Sequence, residues 1–150
     1  MKAASILGAL TVTAGLLAIA TPSLATADTG RICLSSLNTG KFLVVENNKA
    51  GSDVALSSCY MSPSFWVHKS DGTLRNEYNG KCLDTNGSAV YTSVCWAGDA
   101  GQRWSIGDAK KRIWSDLNIK KSLIGWSDDV SYETCPTSAV TKCQWRVVPR

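Results

Sequence analysis

One histidine stands in the 150 residues, and charged side chains make up only 19% of them. A Ser-His-Asp or Cys-His centre would have to be built on that single His68. His68 follows Trp66 on an expected strand, where alternation gives both the same facing, so it reads as a strand residue. No two cysteines form a C-x2-C pair, and with an isolated histidine this excludes a zinc site. No phosphate-binding glycine loop is present, and no cofactor is expected. Low charge together with 12 Gly excludes a coiled coil, while 44% hydrophobic residues exclude a disordered chain. Beyond residue 27 no stretch keeps a helical period over ten residues. The formal charge of +4 is mild and does not call for a nucleic-acid partner.

What is present begins with a leader. Lys2 is the only charge before Asp28, and Ala3 to Ala20 is a run of Ala, Leu, Ile and Val with scattered Gly, Ser and Thr. Pro22 breaks the run, and Ala25-Thr26-Ala27 follows as a small-x-small triplet. A short basic start, an apolar centre and a small-residue site predict a secretory signal over residues 1–27, cleaved after Ala27 or, second, after Ala25. The alternative is a transmembrane anchor, for which a run of roughly 18 residues is borderline, and the breaker and triplet favour cleavage. Residues 28–150 are then an exported protein with no membrane attachment, its formal charge reduced by the loss of Lys2. All six Cys and all six Trp lie in that part. An even cysteine count in an exported chain reads as three disulfides.

Three segments repeat one order of landmarks. Gly40-Lys41-Phe42-Leu43 leads to Cys59 and Ser64-Phe65-Trp66. Gly80-Lys81-Cys82-Leu83 leads to Cys95 and Gln102-Arg103-Trp104. Lys120-Lys121-Ser122-Leu123 leads to Cys135 and Cys143-Gln144-Trp145. Each unit, spanning about 31–70, 71–110 and 111–150, offers four short alternating strands, near Arg31–Leu34, Lys41–Glu46, Asp53–Cys59 and Ser64–Lys69 in the first. Asp71-Gly72 and Asn86-Gly87 read as tight turns. One unit of about 40 residues cannot bury its own apolar face. Three can if they close about a shared axis, which also removes free sheet edges. A linear solenoid is the competing arrangement, but it requires capping repeats. Closure predicts that Trp66, Trp104 and Trp145 meet in the core.

Gln102-Arg103-Trp104, Lys81-Cys82-Leu83-Asp84 and Asp71-Gly72-Thr73-Leu74-Arg75 together resemble the Q-x-W repeat of the ricin B-type lectin family. The resemblance implies an all-β chain with a β-trefoil fold over essentially all of residues 28–150. It is closest in the middle repeat, since the outer two lack the signature Gln. It implies a Cys82–Cys95 disulfide closing a loop of about 14 residues, worth roughly 3 kcal/mol in the chain-entropy model. Phe42 and Ser122 stand where Cys82 does, so the other cysteines pair differently. Cys135–Cys143 would staple a loop between strands, leaving Cys33–Cys59, among fifteen connectivities that six cysteines permit.

Sugar sites of that family are implied to use an Asp on the second strand, an aromatic before the third-strand Cys, and an Asn-Gln pair. Such groups suit a sugar: a carboxylate for hydroxyls, amides for orientation and a flat ring for the C–H face. The middle repeat supplies Asp84 and Gln102, but Ser93 replaces the aromatic and Gly101 the Asn. Trp96, or Tyr91 on the strand face of Ser93, is expected to serve as the plate. The alternative is that Asp84 and Gln102 only satisfy turn backbone. The first repeat has Val44, Ser57 and Ser64 at these places, with Glu46 nearby, and the third has Ile124, Glu133 and Cys143. Trp126 with Asp128 and Asp129 is either a solvated turn or an unrelated pocket.

The expectation is a secreted, non-enzymatic carbohydrate-binding module with one sugar site at Asp84, Gln102, Trp96 and Tyr91 and no metal. Asp84 and Asp99 approach within the middle repeat, but nothing marks them as a glycosidase pair. A protein-binding trefoil such as a protease inhibitor is the alternative, and a structural envelope component a third. Lys110-Lys111-Arg112 and Lys120-Lys121 read as a solvated hairpin before they read as a seat for anionic polymers.

Overall fold

The structure is a computed structural model that describes residues 27–46, 54–58, 61–107 and 109–150. The expected leader, apart from Ala27, lies outside the described residues, as do Asp53 and Cys59 at the ends of one expected strand. Twelve short strands follow the apolar alternation of the sequence. The first four are β1 (Ile32–Ser36), β2 (Phe42–Val45), β3 (Val54–Ser57) and β4 (Trp66–His68). The next four are β5 (Leu74–Asn76), β6 (Cys82–Thr85), β7 (Val90–Ser93) and β8 (Trp104–Ile106). The last four are β9 (Ile113–Ser115), β10 (Ser122–Gly125), β11 (Val130–Glu133) and β12 (Trp145–Pro149). Single 3-10 turns cover Ser62–Ser64 and Val140–Cys143. No described helix is long and apolar enough to cross a membrane.

Six strands close a ring. β1 pairs with β4 and β12, β4 with β5, and β8 with β9, all antiparallel. A Thr73–Arg103 bridge joins β5 to β8, and Trp145 N donating to Lys111 O (2.9 Å) joins the start of β9 to β12. The hairpins β2–β3, β6–β7 and β10–β11 stand over one end. They touch one another through an Ala55–Asp129 bridge and through Tyr132 N donating to Ser88 O (2.8 Å). This is the β-trefoil, and the ring closure at β1–β12 excludes a linear solenoid.

The three units meet in one core. Trp66, Trp104 and Trp145 are at most 3% exposed and belong to a single apolar cluster with Leu43, Leu83 and Leu123. Each indole N–H donates to the equivalent leucine carbonyl: Trp66 to Leu43 (3.0 Å), Trp104 to Leu83 (2.9 Å) and Trp145 to Leu123 (2.9 Å). A buried indole needs such an acceptor, and each bond also satisfies a buried carbonyl. Tyr132 breaks the symmetry. Its ring meets Trp104 edge-on at 5.5 Å, and its hydroxyl accepts from Ser115 N (2.9 Å) and lies 2.7 Å from Asn118 O.

Cys82–Cys95 and Cys135–Cys143 are both bridged. The expected Cys33–Cys59 bridge is not among those described. Cys33 is a buried free thiol, its Sγ 3.7 Å from Ser64 Oγ, and Cys59 lies outside the described residues. Burial raises the Cys33 thiol above its ordinary value.

Candidate functional site

The middle hairpin is shaped by its turn. Gly87 takes a φ of +99°, a conformation that glycine enters without a Cβ penalty. Asn86 Oδ1 accepts from Ser88 N (3.1 Å) and Ala89 N (3.0 Å). Thr85 Oγ1 donates to Ala89 O (2.7 Å) and accepts from Gly87 N (3.1 Å). The resulting register sets Asp84 directly opposite Tyr91 and Cys82 opposite Ser93. Leu83 faces the core, so Asp84 faces away from it, towards the loop that runs from β7 to β8.

That loop covers Asp84, which is only 4% exposed. The Cys82–Cys95 bridge fixes its start. Trp96 O accepts from Asp99 N (3.0 Å), and Asp99 Oδ1 accepts from Gly101 N (2.8 Å). Arg103 ties the outside, donating from Nη1 to Ala97 O and from Nε to Asp116, both at 2.9 Å.

Asp84 and Gln102 are brought together, as expected. Asp84 Oδ2 accepts from Ser93 Oγ (2.5 Å) and from Gln102 Nε2 (3.3 Å). Gln102 is 2% exposed, and its Nε2 also donates to Ser93 Oγ (2.6 Å) and Val94 O (3.0 Å). Its Oε1 accepts from Trp96 N (2.8 Å). The amide is therefore engaged by the protein on both ends, and Gln102 braces Asp84 and the loop instead of presenting a hand to solvent. Asp84 Oδ1 receives no hydrogen bond from the described residues.

Tyr91 is half-buried across from Asp84. Burial, and after it the negative charges of Asp84 and Asp99, lift its phenol above the ordinary value of 10.0. The hydroxyl thus stays protonated and can donate. Trp96 is 67% exposed. Its indole lies against Gly98, where a Cβ would fall 2.6 Å from Cε2, so a side chain at 98 would push the exposed ring aside. The middle repeat thus holds a buried carboxylate, a half-buried phenol across the strand pair from it, and an exposed indole in the covering loop.

Two residues carry more than the sequence suggested. Ser93, which stands where an aromatic was looked for, is the donor that orients Asp84. Gly101, which stands for an Asn, has no room for any side chain. A Cβ would run into Thr85 O and lie 2.7 Å from Asp84 Oδ1 and 3.2 Å from Asp99 Oδ1. The D-x-G turn of Asp99-Ala100-Gly101 is the only sequence sign of this packing.

The outer repeats differ. Val44 and Ile124 are buried at the Asp84 position, and Ser64 is closed on Met61 O (2.7 Å). Glu46 joins Val44, Ser57 and Pro63 around a small hollow. Glu133 is exposed, and Cys143 is bridged. Trp126 donates to Ser131 Oγ (2.9 Å) and carries Lys142 Nζ at 4.1 Å over its ring, while Asp128 pairs with Lys41. Asp128 and Asp129 line a hollow of about 530 Å³ where the three hairpins meet, without Trp126. His68 Nε2 is 2.7 Å from Trp104 O. Among the basic residues, Arg112 stacks on Trp114 and Lys121 is tied to Gly87 O.

The sequence profile of the family described as "Ricin-type beta-trefoil lectin domain" matches residues 30–145. No curated protein matched in a sequence search. The chain is similar in structure to the C-half of an earthworm R-type lectin in complex with GalNAc, at 14% identity and a TM-score of 0.69, covering 81% of this chain and 99% of that one. The designed threefold-symmetric protein ThreeFoil is 23% identical with a TM-score of 0.68, over 81% of this chain and 99% of that one. The β-trefoil lectin of the Vibrio vulnificus hemolysin/cytolysin, with N-acetyl-D-lactosamine bound, is 16% identical with a TM-score of 0.65, over 81% and 95%. At these identities the likeness concerns the fold.

Proposed function

Because the chain belongs to the ricin-type β-trefoil lectin family, we propose that it is an exported carbohydrate-binding module that works without catalysis through one site in its middle repeat. The observation that carries this reading is Asp84: a buried carboxylate held by Ser93 and Gln102 at one oxygen and without a donor from any described residue at the other. Desolvating a carboxylate is costly, and a sugar hydroxyl donating to that second oxygen would make a charge-assisted bond. Tyr91 supplies a donor across the strand pair, and Trp96 supplies a plate for a sugar C–H face. Gln102 acts as a positioning residue. The outer repeats have apolar residues in place of Asp84, which leaves a single site and no avidity between repeats.

A glycan array tests the reading. Wild-type protein is expected to give a signal that Asp84→Asn lowers roughly tenfold or more, the loss of one charge-assisted hydrogen bond. Silence of the wild type across the array, with dose-dependent inhibition of a protease, would replace the lectin by a protein-binding trefoil. The export half of the reading is checked by N-terminal sequencing, with Asp28 as the expected first residue.

A further inference from the structure

The turn before β9 and the loop before β12 border one hollow of about 390 Å³, lined by none of the middle-site residues. Gly107 N donating to Arg112 O (2.9 Å) closes the turn, and Trp145 N donating to Lys111 O fixes it to β12. The loop is closed by Cys135–Cys143 and by the 3-10 turn Val140–Cys143, after which Gln144 N donates to Thr141 O (3.1 Å). Both walls are thus held by the protein's own bonds. Lys110 and Arg112 line the hollow from the turn, Thr137 and Gln144 from the loop. Pro136, Val140 and the disulfide supply apolar wall. No acid is among the described residues that line it, and Lys111, between the two cations, does not line it either. The Arg112 guanidinium lies 5.6 Å over the Trp114 ring, a contact that limits its freedom.

Two cations at a hollow without an acid favour an anion there. A guanidinium matches the paired oxygens of a carboxylate or a sulfate, where an ammonium gives a point charge. Hydroxyl and amide side chains add donors for the same oxygens. The volume falls in the range of ligand pockets, roughly 300–1,000 Å³, and exceeds what a bare ion fills. The apolar wall suits the ring that carries the anion. No aromatic lines the hollow, so a nucleic-acid base finds no stacking platform. We infer that this hollow seats the oxyanion of an acidic glycan, a sulfate or a carboxylate, with Arg112 and Lys110 as its binding residues. Ile124 and Glu133, the third-repeat counterparts of Asp84 and Ser93, do not line it, so it is no third copy of the middle site. The choice of a glycan among polyanions rests on the carbohydrate-binding reading, and the anion seat goes beyond it. The formal charge of +4 favours the encounter, while the walls specify the place.

The test is calorimetry at physiological ionic strength with a heparin-derived hexasaccharide, its fully desulfated counterpart, a neutral glucose hexamer and a short DNA duplex. The sulfated hexasaccharide is expected to bind, the neutral hexamer is not, and Arg112→Ala should weaken the binding roughly tenfold or more. Arg112→Lys should recover only part of that loss, since it restores the charge and not the fork. Lys111→Gly takes one charge from the same turn at a position that does not line the hollow, and should stay within about twofold of wild type. If Arg112→Ala does not fold, Lys110→Gln carries the same expectation. Affinity kept by the desulfated hexasaccharide supports the seat with a carboxylate in it, and affinity lost supports it with a sulfate. Equal losses in Lys111→Gly and Arg112→Ala, or no loss in Arg112→Ala, overturn the seat in favour of diffuse charge. A duplex bound as tightly, with the same dependence on Arg112, overturns the glycan half of the inference. An array signal that depends on Asp84, with the acidic hexasaccharide ignored, overturns the seat alone. Hexasaccharide binding that depends on Arg112, with every neutral glycan silent, supports the seat and overturns the middle site alone.

Discussion

Among the described non-glycine residues, Lys111 alone has a positive φ, at +58°. Its place explains why. Lys111 O accepts from Trp145 N (2.9 Å) as Gly72 O accepts from Trp104 N (2.8 Å), so the two stand at equivalent turns, and Gly72 has a φ of +86°. A Cβ in this region costs about 1 kcal/mol, which glycine does not incur. Lys111→Gly is therefore expected to raise stability by roughly 0.5–1 kcal/mol, read as a higher urea midpoint at unchanged slope. Single residues also mark the limit of what the sequence could tell. Asp84 and Gln102 were legible as partners through the family resemblance, which implies both in one site, and the two are hydrogen-bonded. The bonding of Gln102 was not, since whether an amide faces solvent or its own loop depends on Ser93, Val94 and Trp96 in three dimensions. Gly101 reads as a missing Asn in a sequence, and only packing shows that no Asn fits there.

At the level of elements, the hairpins are the variable parts and their staples differ. Cys82–Cys95 ties the end of β7 back to the start of β6, with a sequence separation of 13. Closing a loop of that size removes roughly 3 kcal/mol of unfolded-state entropy. The Cys82→Ala, Cys95→Ala double variant is expected to lose about 2–4 kcal/mol in chemical unfolding. It should also weaken glycan binding, because the loop that covers Asp84 starts at Cys95. Cys135–Cys143 instead spans the loop ahead of β12, with a separation of 8. Strand existence was legible throughout because apolar alternation and Gly turns recur in each unit. Strand ends were less so: the first was expected near Arg31–Leu34 and runs Ile32–Ser36, since pairing with β12 carries it two residues further. The basic residues near Lys110 and Lys120 looked like one hairpin's flanks, but the strand between them, β9, pairs with β8.

For the whole molecule, the three indole-to-leucine hydrogen bonds express the threefold repeat most directly. Replacing any one tryptophan by phenylalanine leaves a buried carbonyl without its donor, at a cost of roughly 1–3 kcal/mol. Trp66→Phe, Trp104→Phe and Trp145→Phe are expected to fall within about 1 kcal/mol of one another in urea unfolding, as pseudo-equivalent positions should. A near-neutral result at one of them would show that the three units do not share the core equally. The tryptophan spacing made this core legible from the sequence. The pairing expected of Cys33 with Cys59 lies partly outside the described residues, among which Cys33 is a buried free thiol. The pairing of β1 with β12 over five residue pairs, from Ile32–Pro149 to Ser36–Trp145, has a kinetic side. A ribosome or translocon that delivers the chain from its amino end releases β1 long before its neighbour exists. Until β12 arrives, one edge of the sheet stays unpaired and available to other chains, so the final strand acts as a latch that ends the period of greatest aggregation risk.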